Sequence, residues 1–204
     1  MPFAVTLSAA MTDQTEAAYR DAELLAAIAA GDMRAFERLY KTYFRKIVGF
    51  AARMTSRTDL AEEIASETVL AIWRGAGGYQ GTAKPSTWIF GIAYRQALTA
   101  LRRSDKDLRA KEAAGDMVGD EAAPDEVERL FLRDTLGRAL AELSPEHRAV
   151  VELTYVYGYT AVEISEIIER PVGTVKTRLM HARKNLKSIM TAPPASGEEE
   201  EPNG

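Results

Sequence analysis

Apolar positions recur at helical spacing through most of this chain. Few stretches alternate with the period of two that a strand requires, so the pattern predicts a nearly all-α protein. Asp21 to Ala30 reads as a first helix closed by Gly31, and Asp32 is placed to cap the next. That second helix carries Phe36, Leu39, Tyr40, Tyr43, Phe44, Ile47, Val48 and Phe50 on one broad stripe. Thr58 or Asp59 opens a third, TDLAEEIASETVLAIWR, with Leu60, Ile64, Val69, Leu70, Ile72 and Trp73 apolar. Four glycines and a proline then make Gly75–Ser86, GAGGYQGTAKPS, a loop. A fourth helix, TWIFGIAYRQALTALRR, ends in Arg102 and Arg103, where positive charge suits the negative pole of the helix dipole.

From Ser104 to Pro124 large apolar residues become scarce. Such a segment buries too little surface to offset the entropy of ordering it, which predicts a linker. Helical periodicity returns in DEVERLFLRDTLGRALAEL, with Val127, Leu130, Phe131, Leu136, Leu140 and Leu143 inward. Ser144-Pro145 is an N-cap followed by proline at the first helical position, opening PEHRAVVELTYVY, which Gly158 stops. Thr160 and Glu163 fit a capping box ahead of the short helix AVEISEII. The turn ERPV and a final helix follow. The predicted organisation is two small helical domains, 21–103 and 125–190, joined by a flexible linker, 104–124. A disordered extension, 1–20, precedes them and a disordered acidic tail, 191–204, follows.

Two short helices separated by about four residues are the sequence form of a helix-turn-helix. In the second, Val175, Leu179, Ala182 and Leu186 form the inward stripe. The outward face shows Thr174, Lys176, Thr177, Met180, His181 and Lys184, with Arg178 and Arg183 toward the sides. From Gly173 to Met190 there are five Lys/Arg side chains and no carboxylate. A helix of this kind fits the major groove of B-DNA: side chains of its first half reach base edges, and flanking arginines fix register on phosphates.

Composition sharpens the picture. The net charge is −4 over 204 residues, which argues against a protein that coats nucleic acid unaided. No cysteine is present, which excludes disulfides, thiolate metal sites and cysteine nucleophiles. No apolar run approaches the roughly 20 residues that span a bilayer, and no basic residue precedes Arg20, so neither membrane insertion nor a secretory signal is predicted. Met11 is a candidate natural start. The expected location is the cytoplasm.

The second half, through LSPEHRAVVELTYVYGYTAVEISEII and PVGTVKTRLMHARKNL, resembles region four of bacterial sigma factors of the extracytoplasmic-function group. The first half, through DMRAFERLYKTYF, AEEIASETVLAIW and STWIFGIAYRQALTALRR, resembles region two of the same group. The resemblance implies an initiation subunit without catalysis of its own. Region two would dock on core RNA polymerase through Glu62, Glu63, Ser66 and Glu67. It would hold the melted minus-ten promoter element with Tyr79, Gln80, Lys84, Arg95, Arg102 and Arg103. In region four, the base-reading positions of the family fall on Lys176, Thr177, Met180 and His181 for the minus-thirty-five duplex, with Thr174, Arg178, Arg183 and Lys184 toward phosphate. Arg95 and Thr99 stand where the family often has Asn and Asp. Proteins of this group are generally held inactive by an anti-sigma factor.

Two other classes compete. A one-component helix-turn-helix regulator would need a ligand pocket or a self-complementary interface in its first half. An enzyme would need a phosphate loop, metal-ligand spacing or a nucleophile motif, and none is present: GAGGYQG lacks the Lys-Ser/Thr of a P-loop. No cofactor, metal or small-molecule substrate is predicted.

Overall fold

The computed structural model describes residues 3–113 and 135–191. The regular elements among them are all helical, as the apolar periodicity predicts. They are α1 (Phe3–Ala29), α2 (Met33–Thr55), α3 (Thr58–Gly75), a 3-10 turn (Ala76–Gly78), α4 (Pro85–Ala113), α5 (Thr135–Ala141), α6 (Pro145–Tyr155), α7 (Ala161–Ile167) and α8 (Val172–Thr191).

Local chemistry sets several of the boundaries. Gly31, at φ 88°, takes the left-handed conformation that ends α1 at little steric cost. Asp32 then caps α2, its Oδ1 accepting from the amides of Arg34 at 2.8 Å and Ala35 at 3.2 Å. Thr58 and Asp59 lie inside the first turn of α3, and Arg57 occupies the capping position without a side-chain cap bond.

Two boundaries depart from expectation. α1 begins at Phe3 rather than Asp21, so residues 3–20 are helical, not a disordered extension. No glycine or proline interrupts the chain between Phe3 and Ala30, and alanine-rich sequence continues a helix once it is nucleated. α4 likewise runs to Ala113, through the first ten residues of the expected linker. The scarcity of apolar residues there decides burial, not backbone: residues 105–110 are exposed, yet still helical. The rest of that linker, the start of the helix at Asp125, and residues 192–204 lie outside the described residues.

The apolar stripe of α2 buries Leu39, Tyr43, Ile47 and Phe50, whereas Tyr40 stacks on Phe44 toward solvent. Leu70 of α3, also expected inward, is 37% exposed. The Tyr43 hydroxyl donates to the Asp21 carboxylate and ties α2 to α1. Burial first, and then that carboxylate, push the phenol far above its ordinary value.

The two halves share one core. α2 packs on α6 and α4 packs on α7, so the separate modules expected from the sequence meet face to face. Phe90 of α4 lies 5.4 Å from Phe50, 4.7 Å from Tyr157 and 5.6 Å from Tyr159, ring centre to ring centre. A second, smaller cluster of Leu140, Leu143, Val151 and Ala182 holds α5, α6 and α8 together. Buried Arg148 closes the end of α5, its Nη2 donating to the carbonyls of Leu143 at 2.8 Å and Ala141 at 3.4 Å, while its Nη1 donates to the Ser56 hydroxyl.

Removing the Asp32 carboxylate leaves two α2 amides without their acceptor. Asp32→Ala should cost about 1 kcal/mol of stability, read as a lower urea midpoint with an unchanged slope.

Candidate nucleic-acid interface

The helix-turn-helix is built as its capping residues dictate. The Thr160 hydroxyl accepts from the Glu163 amide at 3.3 Å, and Glu163 Oε2 accepts from the Thr160 amide at 2.8 Å, closing the capping box on α7. After α7 the chain turns through Glu169, a non-glycine residue at φ 52°, and Pro171, and then enters α8.

On α8, Val175 and Ala182 are fully buried and Leu179 and Leu186 pack partly beneath them, as the stripe predicts. Lys176, Thr177, Met180, His181, Arg183 and Lys184 are exposed on the remaining faces, with Met180 58% open. Thr174 is half-buried. The Thr177 hydroxyl is spent locally, donating to the Gly173 carbonyl at 2.9 Å. Arg183 is braced rather than loose: its Nε donates to the Tyr155 hydroxyl at 2.6 Å and its guanidinium lies 5.6 Å from that ring. His181 lies 6.4 Å from His147, ring to ring, and His147 Nδ1 meets the Ser144 hydroxyl at 2.8 Å. Burial, followed by the Arg178 and His181 charges, holds His147 below its ordinary value.

Arg178, read as lying toward the side of α8, turns toward α4. It is half-buried against the Tyr94 hydroxyl of α4, and its Nη1 is buried without a hydrogen-bond acceptor.

The first-half candidates cluster along α4 and the turn before it. The Tyr79 hydroxyl donates to the Ala83 carbonyl at 2.6 Å, and its ring lies 5.6 Å from Trp88. Gln80 is exposed. Lys84 Nζ pairs with Glu163 Oε1 at 2.7 Å, and Arg95 Nη1 pairs with Glu169 Oε1. Arg102 and Arg103 are exposed, Arg103 reaching Glu63 at 3.4 Å. On α3, Glu62, Glu63, Ser66 and Glu67 are all exposed. Glu63 and Glu67 line a shallow groove with Gln96, Thr99 and Arg103 of α4.

Sequence reading missed the polar joint between the halves. Arg53 Nε reaches Glu152 Oε2 at 2.5 Å, Arg53 Nη2 donates to the Tyr157 hydroxyl at 2.8 Å, and that hydroxyl donates to the Lys46 carbonyl at 2.8 Å. Glu152 is almost wholly buried, and burial lifts its carboxyl above the ordinary range despite Arg53. The available signal was a pair of opposite charges, Arg148 and Glu152, spaced i, i+4 in RAVVELTY, an otherwise mostly apolar run. Among the described residues, no group of three or more metal-ligating side chains occurs and no helix is long and apolar enough to cross a membrane.

Comparison with known proteins decides the family. Residues 39–107 match Sigma-70 region 2, and residues 133–186 match Sigma-70 region 4. The RNA polymerase sigma-H factor of Pseudomonas aeruginosa is 30% identical over 182 residues, covering 84% of this chain and 94% of that protein. The ECF RNA polymerase sigma factor SigM of Mycobacterium tuberculosis is 34% identical over 171 residues, covering 83% of this chain and 84% of its own length. The chain belongs to the extracytoplasmic-function sigma factors. As such it binds core RNA polymerase and promoter DNA and directs transcription initiation. The sigma-factor fold recurs in two solved structures at 21% identity. CnrH in complex with the cytosolic domain of CnrY has a TM-score of 0.64 and covers 84% of this chain and 97% of that one. RpoE in complex with the anti-sigma factor NepR, from Bartonella quintana, has a TM-score of 0.62, covering 78% and 98%.

Glu163 gives this sigma factor a measurable pH signature. Burial alone would raise its carboxyl, but Lys84 and the Thr160 amide and hydroxyl outweigh burial and hold it below the ordinary glutamate range. A depressed folded-state value contributes stability above the unfolded value, about 4.3, and that stability disappears as pH falls through the lower folded one. Thermal midpoints of Glu163→Gln should therefore fall less steeply than those of the parent chain across that acid window.

Proposed function

We propose that the two halves divide promoter recognition in the manner the family implies, with residues 21–103 serving core polymerase and the minus-ten element and residues 125–190 serving the minus-thirty-five element. The observation that carries this reading is the two-sided character of α8. Val175 and Ala182 lock one side into the protein, and Lys176, Thr177, Met180 and His181 are presented together on the other. A helix so mounted enters the major groove as a rigid body. Lys176 and Thr177 lie in its first half, where side chains meet base edges. Met180 offers only apolar contact, which suits a thymine methyl. Thr174, Arg183 and Lys184 flank these positions and suit phosphate, and Arg178 joins them once it leaves Tyr94.

In the first half, Lys84, Arg95, Arg102 and Arg103 supply cations for the single strand, and Tyr79 and Gln80 border the place for an unstacked base. Glu62, Glu63, Ser66 and Glu67 form an acidic, exposed strip on α3 suited to a basic polymerase surface. The chain then contributes positioning and the polymerase contributes the chemistry. Control by an anti-sigma factor fits the same picture, since RpoE, a protein of this fold, is solved with the anti-sigma factor NepR, and CnrH with the cytosolic domain of CnrY.

Transcription of a promoter library by core polymerase plus this chain tests the assignment. Lys176→Ala and Thr177→Ala should each weaken use of the preferred upstream element by roughly tenfold, consistent with the 1–3 kcal/mol of a base contact, and relax preference at one or two positions. Unchanged upstream preference in both variants would remove α8 from the reading role. Glu63→Lys with Glu67→Lys should lower retention on immobilised core polymerase while leaving the helical circular dichroism spectrum intact.

A further inference from the structure

Tyr155 closes α6 and is 59% exposed, so its ring is not part of the core. Its contacts are with α8 instead. Arg183 Nε donates to its hydroxyl at 2.6 Å, and the guanidinium lies 5.6 Å from the ring centre, within reach of a cation–π contact. Both backbones are fixed. The Val156 and Tyr157 amides return to the Glu152 carbonyl at 2.9 and 3.2 Å, and the Tyr159 amide returns to the Leu153 carbonyl at 2.9 Å. Ala182, next to Arg183, is fully buried in the small cluster that also holds Val151 of α6. Of the five N–H donors of the Arg183 guanidinium, the Nε donor is the one taken. The two Nη groups, the fork that grips phosphate end-on, have no partner among the described residues. Arg183 also lies two helical turns beyond Lys176 on nearly the same edge of α8, roughly 10 Å along the axis. The major groove is about 12 Å wide, so a helix whose first half reads bases carries a side chain at that distance to the phosphate wall.

We infer that Tyr155 is a positioning residue for promoter binding: its hydroxyl and ring hold the Arg183 guanidinium so that the two Nη groups are presented to a phosphate beside the minus-thirty-five element. This rests on the assignment of Arg183 to phosphate. An unbraced arginine samples many rotamers and loses that freedom on contact. The brace selects the rotamer before DNA arrives and so removes part of that cost. Lys176 and Lys184, exposed on the same helix, have no comparable brace among the described residues. A lysine would gain less from one, being a point charge without a fork to orient. Because the contact is to backbone, the brace governs affinity and register and leaves base preference to the readers on α8.

The test uses holoenzyme assembled from core polymerase and the full-length chain, binding a fluorescent promoter duplex at several salt concentrations. Arg183→Ala should weaken binding and lower the slope of log affinity against log salt by about one, the mark of one lost phosphate contact. Tyr155→Phe keeps the ring and removes the hydroxyl. It should weaken binding roughly three- to tenfold, the range of one hydrogen bond, and by the same factor on every upstream sequence. In an Arg183→Ala background the same substitution should change nothing, a coupling that a merely structural tyrosine would not show. Full affinity in Tyr155→Phe, or an equal loss in the Arg183→Ala background, overturns the positioning role. Tighter binding by Tyr155→Phe overturns it as well, because the hydroxyl would then be holding Arg183 away from DNA. The underlying assignment is read separately: if Arg183→Ala leaves both affinity and salt slope unchanged, Arg183 is not a phosphate contact and the positioning role falls with it.

Discussion

The packing of Phe90 among Phe50, Tyr157 and Tyr159 is the contact on which the described arrangement turns. Phe50 and Phe90 belong to the first half, and the two tyrosines sit on the loop between α6 and α7. Each ring alone would leave a large apolar face in water, and edge-to-face contact adds to what burial contributes. The polar groups around these rings are satisfied across the joint rather than within either half. Tyr157 shares its hydroxyl between Arg53 and the Lys46 carbonyl, and Arg53 neutralises Glu152. The joint is therefore part core and part polar network.

Elements whose causes are local were legible in the sequence. The Asp32 and Ser144 caps, the Thr160–Glu163 capping box, the left-handed Gly31 and Gly158, and the buried stripe of α8 each depend on residues a few positions apart. The exposed set on α8 followed from the same periodicity. What escaped depends on residues 74 to 99 positions apart. Arg53 meets Glu152, Lys84 meets Glu163 and Arg95 meets Glu169, and nothing local to Arg95 distinguishes a cation awaiting phosphate from one already neutralised. The overlong α1 and α4 mark another boundary of such reading. Low apolar content predicts exposure, which 105–110 show, but a segment free of glycine and proline and continuous with a stable helix remains helical without burial.

Charge is arranged to the same end. The chain carries a net −4, while α8 between Val172 and Thr191 is wholly without carboxylates. Segregation lets a single acidic chain carry a basic helix face. It also leaves acids on α3, on α7 and just after α7 to meet cations elsewhere: Glu63 lies beside Arg103, and Glu163 and Glu169 pair with Lys84 and Arg95.

Weak ion pairs suffice here because the halves belong to one chain. Two partly exposed pairs of this kind contribute on the order of 1 kcal/mol together, far too little to hold two free proteins at cellular concentrations. A covalent connection makes the second encounter intramolecular, with an effective concentration that reaches the millimolar range for short connections. Aromatic packing supplies orientation, and the carboxylates add selectivity for the two cations beneath them. The buried Nη1 of Arg178, which lacks an acceptor, is a cost that the same packing bears.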